Sequence, residues 1–474
     1  MQLSNDKPRR VISIFVLAMV NISMMASLRN LPLVAEFGLS AIFFFFVVAL
    51  FFLIPCALIS AELATGWPKS GGIYIWVREG LGDRLGFMAI WMQWVHNVAW
   101  YPVIMSFVAV TFSYLISPAL ADNKFFVLSV ILIGFWGMTL LNYLGIKTSG
   151  HFSSIGVIIG TILPGTFIIL LGLSWLVKGN PIQTPISWEA LIPSFSSLNN
   201  LVFLAGLFLA FAGLEVSACY AGDVKTPQKN YPKAIILGAI ITFVLFMLGS
   251  LAIAFVIPKS EINLVAGLME AFKTFFQYYN LLWILPVMAV LLIIGAIAEV
   301  NSWIIGPVQG LYATSVHGNL PPYFQKVNKR GVPTNLLLFQ AILMSVTSLI
   351  FLYMPQISSA FWMLTALSAQ SYLIMYILMF IAAIKLRYSK PHVPRAYRVP
   401  FQKKGIWLFS SMGVISSCFA IVLCFVPPAD MKVGNTTVYA LLLGAGLVVM
   451  CAIPLFIHAF RKPHWALPNH EIKD

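Results

Sequence analysis

Charge is scarce in this sequence. Only 9% of its 474 residues are Asp, Glu, Lys or Arg, against about 25% in soluble globular chains. So few polar groups cannot coat a soluble surface, which excludes a cytosolic enzyme. The 60% apolar content excludes a disordered chain. Cysteine is scarce too. Cys56, Cys219, Cys418, Cys424 and Cys451 are scattered without a CxxC pair, which excludes a disulfide scaffold and argues against a thiolate metal site. The seven histidines form no ligand cluster, and His96 reads as a packed, hydrogen-bonded side chain. No GxSxG, HExxH or P-loop is present, and Ser70-Gly71-Gly72 is too short to cradle a phosphate. With no nucleophile–base pair, metal set or ATP motif, the expected protein is not an enzyme. It needs no cofactor, and any transport it performs must draw on a gradient.

What the sequence has in abundance is long apolar runs. A bilayer needs about 20 apolar residues per helical span, so about 284 apolar residues allow at most about 14. The runs are continuous rather than alternating, which predicts helices and not a β-barrel. Breaks at charge, Pro, Gly and Asn clusters predict twelve spans. They are 11–37, 40–65, 87–117, 125–146, 152–177, 198–222, 234–257, 281–315, 334–353, 358–384, 405–426 and 436–460. The first run follows a basic start, but it lacks a small-residue cleavage site, so a cleaved signal peptide is not expected.

The net charge of +14 is a topology signal. Loops on the side of the two termini hold 23 of the 29 Lys and Arg residues, and the opposite loops hold five. The positive-inside rule then puts both termini in the cytoplasm. Lys385 and Arg387 are assigned to the cytoplasmic loop after span ten. Two segments are not simple spans. Residues 66–86 read as an interfacial helix with a Gly-rich entry. Residues 258–280 read as an amphipathic external helix with Leu264, Leu268, Met269, Phe272 and Phe276 on one face. The latter either covers an outer vestibule or lies on the membrane surface.

Ionisable groups inside a bilayer are costly and therefore candidate functional residues. Four fall within spans: Arg29, Glu62, Glu215 and Glu299. The first span is polar in its middle, from Asn21 through Ser23, Met24, Met25, Ala26 and Ser27 to Arg29, with Pro32 one turn on. The sixth carries Phe211-Ala212-Gly213-Leu214-Glu215 at mid-depth. Both predict broken helices, at matching places in two five-helix halves, 11–177 and 198–384. Such a pair is the sequence mark of a transporter site. Free N–H groups around Ser23–Ser27 would attract a carboxylate, and carbonyls around Phe211–Leu214 would accept from an ammonium, so an α-amino acid fits. Glu299 and Trp303 share one face of span eight, as do Tyr372 and Tyr376 of span ten. Each pair either contacts a polar solute or makes interhelical hydrogen bonds. Glu62, near a helix end, reads as a cap or gate contact.

At these residues the chain resembles the glutamate/GABA antiporter family of the amino acid–polyamine–organocation superfamily, over roughly residues 8–460. The resemblance rests on Pro55–Thr65, Gly71–Val77, Gly213–Ala218, Ile257-Pro258 with Glu261–Leu264, Ala298-Glu299 through Trp303–Pro307, and Asn328–Pro333. It implies an all-α LeuT-type fold of twelve transmembrane helices: two inverted five-helix repeats with helices 1 and 6 broken, plus two more helices at 405–460. It implies exchange of external glutamate for internal GABA in the bacterial inner membrane, paired with a separate cytosolic decarboxylase. By position it assigns Glu215 to the helix-six break, and Glu299, Trp303, Tyr372 and Tyr376 to the pathway. Two departures stand out. Acid-resistance members carry a tyrosine where this chain has Arg29, which either binds a substrate carboxylate or pairs with Glu299 or Glu215. They also carry a long plugging tail, whereas residues 461–474 form a short one, so a plug is not expected. The rival readings are a transporter of neutral or cationic amino acids or polyamines, proton-coupled or not, and an amino-acid-sensing receptor. Exchange across a membrane separates the transporters from the receptor.

Overall fold

The computed structural model describes residues 14–68, 71–144, 155–193, 201–216, 226–428 and 435–467. Residues 1–10, Lys69, Ser70, Lys147, His151, Cys219, Lys225, Lys432, and the tail beyond Leu467 with His470 and Lys473 lie outside them. Among the described residues the architecture is helical throughout, with no strand. Eleven helices among the described residues are long and apolar enough to cross a membrane. Leu204–Val216, a shorter apolar helix, stands at the place of the sixth expected span. The protein is a multi-pass membrane protein.

Eleven of the twelve expected spans are met within a few residues where they are described, because each is set locally by apolar run length and its polar ends. The sixth, 198–222, runs past the described residues at both ends. The second runs Gly38–Gly66, the seventh Pro232–Val256 and the ninth Thr334–Tyr353. Two boundaries are corrected. Span three starts at Asp83, directly after Gly82 at φ +95°, and continues to Ser113. Span ten runs Ile357–Ser389, so Lys385 and Arg387 sit on the helix rather than in a loop. Arg387 is buried there because a carboxylate meets it, as described below.

Span one is two helices. Ile14–Met25 ends, Ala26 and Ser27 are non-helical, Leu28–Asn30 form one 3-10 turn, and Leu31–Ala35 resumes. Pro32 keeps regular helix from running unbroken through this region: it has no N–H for the Leu28 carbonyl, and its ring clashes with that carbonyl. The new helix instead takes Pro32 into its first turn. Span six stops at Ala210 and restarts as a short turn at Leu214–Val216. Gly213 between them has φ +116°, a conformation that side chains disfavour. A Cβ there would also lie 3.0 Å from the Met24 carbonyl oxygen and 3.1 Å from the Trp303 ring. The two breaks therefore face each other, with span eight beside them.

The amphipathic segment forms a helix over Gly267–Tyr278. Leu264, Leu268, Met269, Phe272 and Phe276 are all buried, joined by Phe275, so its apolar face packs on the protein. It lies next to a cavity of about 270 Å³ lined by Asp122, Lys124, Asn263, Ala266 and Gln356. These residues lie on the opposite side from the described ends of the chain. Burial raises the Glu270 carboxyl on this helix to about 6; Lys273 opposes the rise, and Asp122 and Glu261 add to it. The residue 66–86 segment is helical over Ile73–Leu81, entered through Gly71 and Gly72, both at positive φ.

Candidate functional site

Between the two breaks lies a small cavity of about 20 Å³ lined by buried residues. Of the expected residues, Met24, Met25, Arg29, Glu299, Trp303 and Tyr372 line it. Ser27, Asn30, His96, Trp100, Leu209 and Ala212 line it as well. His96, singled out in the sequence, and Trp100, one aromatic among several, both come from span three. Such a volume holds about one water-sized molecule, so admitting an amino acid requires wall side chains to move.

Ser23, Ala26, Phe211, Gly213, Glu215 and Tyr376 are off the cavity wall. The Ser23 hydroxyl donates to Ser302 of span eight at 3.4 Å. The Ala26 N–H bonds back to the Ile22 carbonyl at 2.7 Å, and the Ser27 N–H to Met25 at 2.9 Å. The break therefore does not leave these two N–H groups free, contrary to the sequence expectation. Phe211 is fully buried and packs edge-on against Phe45.

Glu215 is turned into the protein instead of toward the cavity. One carboxylate oxygen accepts from the Gln93 amide at 3.0 Å and from the Tyr372 hydroxyl. The other accepts from Tyr376. The Tyr376 oxygen in turn accepts the Gly213 N–H at 2.8 Å. Spans three and ten thus satisfy the polar groups that the break in span six exposes, as buried polar groups require. Tyr376→Phe leaves the Gly213 N–H and a Glu215 oxygen each short of a partner, at a cost of about 1–3 kcal/mol per unsatisfied group. The expected result is at least a tenfold loss of transport at unchanged helix content, about 1.4 kcal/mol of site distortion. Uptake into vesicles together with circular dichroism checks it; wild-type uptake would remove Tyr376 from this role.

Trp303 fixes the other break. Its indole N–H donates to the Met24 carbonyl at 3.1 Å, and its own carbonyl accepts from the Tyr101 hydroxyl at 3.1 Å. His96 stacks on Tyr372 with ring centroids 4.2 Å apart, and its Nδ1 lies 2.6 Å from the Ser368 hydroxyl. It is thus packed and hydrogen-bonded as expected, and also part of the wall.

Arg29 is the outlier. It is 2% exposed, yet its Nε and Nη1 have no hydrogen-bond partner among the described residues. Its guanidinium carbon sits 5.5 Å from the Trp100 ring centre and 5.8 Å from that of Phe361. Aromatic faces stabilise a cation without occupying its N–H groups. Glu299 interacts with it electrostatically, but no hydrogen bond joins the two. The other buried carboxylates are matched. Glu62 pairs with Arg387, lies 3.4 Å from the Arg395 Nε, and accepts the Val399 N–H at 2.8 Å.

An all-helical membrane chain with two interrupted helices facing a buried cavity that holds Arg29 and Glu299 is built as a solute carrier of LeuT type. The model of the amino acid permease family matches residues 12–448, and the chain belongs to that family. It is a transporter, not an enzyme. It is 43% identical to an uncharacterized transporter of Legionella pneumophila over 96% of this chain and 97% of the relative. It is 31% identical to the glutamate/gamma-aminobutyrate antiporter of Lactococcus lactis subsp. lactis over 95% of this chain and 90% of the relative. A probable agmatine/putrescine antiporter of the same organism is 25% identical over 88% of each chain.

Proposed function

We propose that this protein is an antiporter. It takes up an external acidic amino acid, glutamate-like, and releases an internal amino acid or its decarboxylation product, GABA-like, by alternating access. The observation that carries this reading is Arg29, a buried cation in the cavity wall with two nitrogens lacking partners. A desolvated guanidinium left without a partner is costly, and a carboxylate is its best match, able to bind two of its N–H groups at once. The same charge disfavours a polyamine, whose ammonium groups it repels. The names of the two Lactococcus lactis glutamate/gamma-aminobutyrate antiporters, at 31% and 32% identity, point the same way.

The site of the acidic amino acid is formed by Arg29, Glu299, Trp303 and Tyr372, with Ser23–Ala26 and Phe211–Gly213 shaping the two breaks. Glu215 and Tyr376 hold the second break in place. The protein lies in a bacterial cytoplasmic membrane with both termini in the cytoplasm, as the 23-to-5 distribution of basic residues supports. A cytosolic decarboxylase that converts the imported acid into the exported product would keep both gradients running.

The test is exchange in proteoliposomes. Vesicles loaded with GABA are expected to take up labelled glutamate, and empty vesicles to take up little. Absence of glutamate uptake from every loading, at acidic and at neutral pH, would overturn the substrate assignment.

A further inference from the structure

The cavity wall carries two ionisable groups of opposite sign, and no hydrogen bond joins them. Arg29 comes from the break in span one, and Glu299 from span eight. The Ser27 hydroxyl and the Arg29 guanidinium are among the polar neighbours of Glu299. Among the described residues, no other ionisable group on this wall is free to balance a solute's charge. Glu215 has Gln93, Tyr372 and Tyr376 as donors, and His96 is engaged with Ser368. In a low-dielectric enclosure any excess charge of wall and solute costs free energy. Arg29 and Glu299 together sum to zero with both ionised. A solute with a neutral or zwitterionic net charge preserves that balance. A dicarboxylic amino acid adds a negative charge that only Arg29 can meet, in the presence of Glu299.

We infer that Arg29 and Glu299 are a two-way charge reader: Arg29 takes the side-chain carboxylate of the acidic amino acid, and Glu299 takes the terminal ammonium of the ω-amino acid exchanged for it. Glu299 is then a specificity-determining residue. It competes with the acidic solute for Arg29 and attracts the decarboxylated one. The inference rests on the antiport reading above, and it goes further by assigning each solute its own counter-charge. Nothing else on the wall distinguishes the two solutes by charge, because Trp303, Tyr372, Met24 and Met25 are neutral.

The experiment compares wild type, Glu299→Gln and Arg29→Gln in two measurements: proteoliposome counterflow, and ligand-induced thermal shift of the detergent-solubilised protein. The probes are glutamate, GABA and glutamine, with glutamine as the internal reference. For Glu299→Gln, the glutamate-to-glutamine affinity ratio is expected to rise about tenfold and the GABA-to-glutamine ratio to fall about tenfold. Arg29→Gln should move both ratios the opposite way. Equal shifts for all three probes, or ratios unchanged in both variants, overturn the charge reader. Ratios that reverse in the binding measurement while wild type fails to exchange glutamate for GABA keep the charge reader and overturn the antiport reading. Wild-type exchange with unmoved ratios does the reverse.

Discussion

Gly160→Leu is expected to prevent the protein from reaching its folded state. Gly160 lies on the fifth span, Ile155–Val177, where it meets the eighth, Leu282–Val316. A Cβ at residue 160 would lie 2.1 Å from the Gly295 backbone nitrogen and 2.3 Å from its Cα. The reciprocal Cβ on Gly295 would lie 2.3 Å from the Gly160 carbonyl oxygen, and one on Gly156 would lie 2.3 Å from Ala298 Cβ. The obstructing atoms at Gly160 are backbone, so no side-chain rotation relieves the clash. In lipid, helices associate largely by such close approach of small residues. Overpacking usually costs about 1–3 kcal/mol, and more where a backbone must move. Glu299 and Trp303 lie one and two turns beyond Gly295 on the same helix, so displacing that contact also displaces the cavity wall. Gly137→Ala is the control, because nothing lies within 4 Å of a Cβ at that position. Yield of monodisperse protein and thermal midpoint in detergent are the readouts. A wild-type midpoint for Gly160→Leu would show that the two helices do not touch there.

Glu62→Ala is expected to be the most destabilising single loss of a charge. Glu62 on the second span is buried between Arg387 of span ten and Arg395 of the loop after it, and it also accepts the Val399 N–H. Arg395 additionally lies over the Trp67 ring at 5.0 Å. Removing the one carboxylate leaves two guanidinium groups facing each other without a counter-charge. Breaking a buried pair from one side typically costs about 3–5 kcal/mol. Glu62→Gln keeps an acceptor for Val399 but not the charge, so it should fall between alanine and wild type. Arg387→Met in the Glu62→Gln background should restore part of the loss, since coupled residues are not additive. Thermal unfolding of the purified protein measures all three. A Glu62→Ala change of less than about 0.5 kcal/mol, the range of inert surface substitutions, would mean the network contributes nothing.

Much of the fold was legible in the sequence because its causes are local. A bilayer leaves backbone groups no partner except along the helix, so every crossing had to appear as an apolar run. Pro32 and Gly213 marked the two breaks for the same reason, since each constrains its own backbone. The site was half legible. Arg29, Glu299, Trp303 and Tyr372 were marked by being polar or amphipathic at mid-depth. Glu215 carried the same mark but has a different place. Its donors come from Gln93, Tyr372 and Tyr376, which are 122, 157 and 161 residues away. Arg387 was misplaced because a basic residue at a span end reads as loop unless its distant partner Glu62 is known. Trp100 carried no mark, since an aromatic residue in an apolar helix looks like core.

The sequence alone therefore marked a multi-pass membrane chain, the sidedness its basic residues favour, and two interrupted helices. Helix length, proline geometry and charge placement all act within one segment. The three-dimensional packing settled which intramembrane charges are satisfied. It surrounds Glu62 and Glu215 with donors from remote helices and leaves Arg29 between two aromatic rings with nitrogens unpaired. Charge compensation is a property of neighbours in space, and those neighbours lie about seventy to more than three hundred residues apart in the chain.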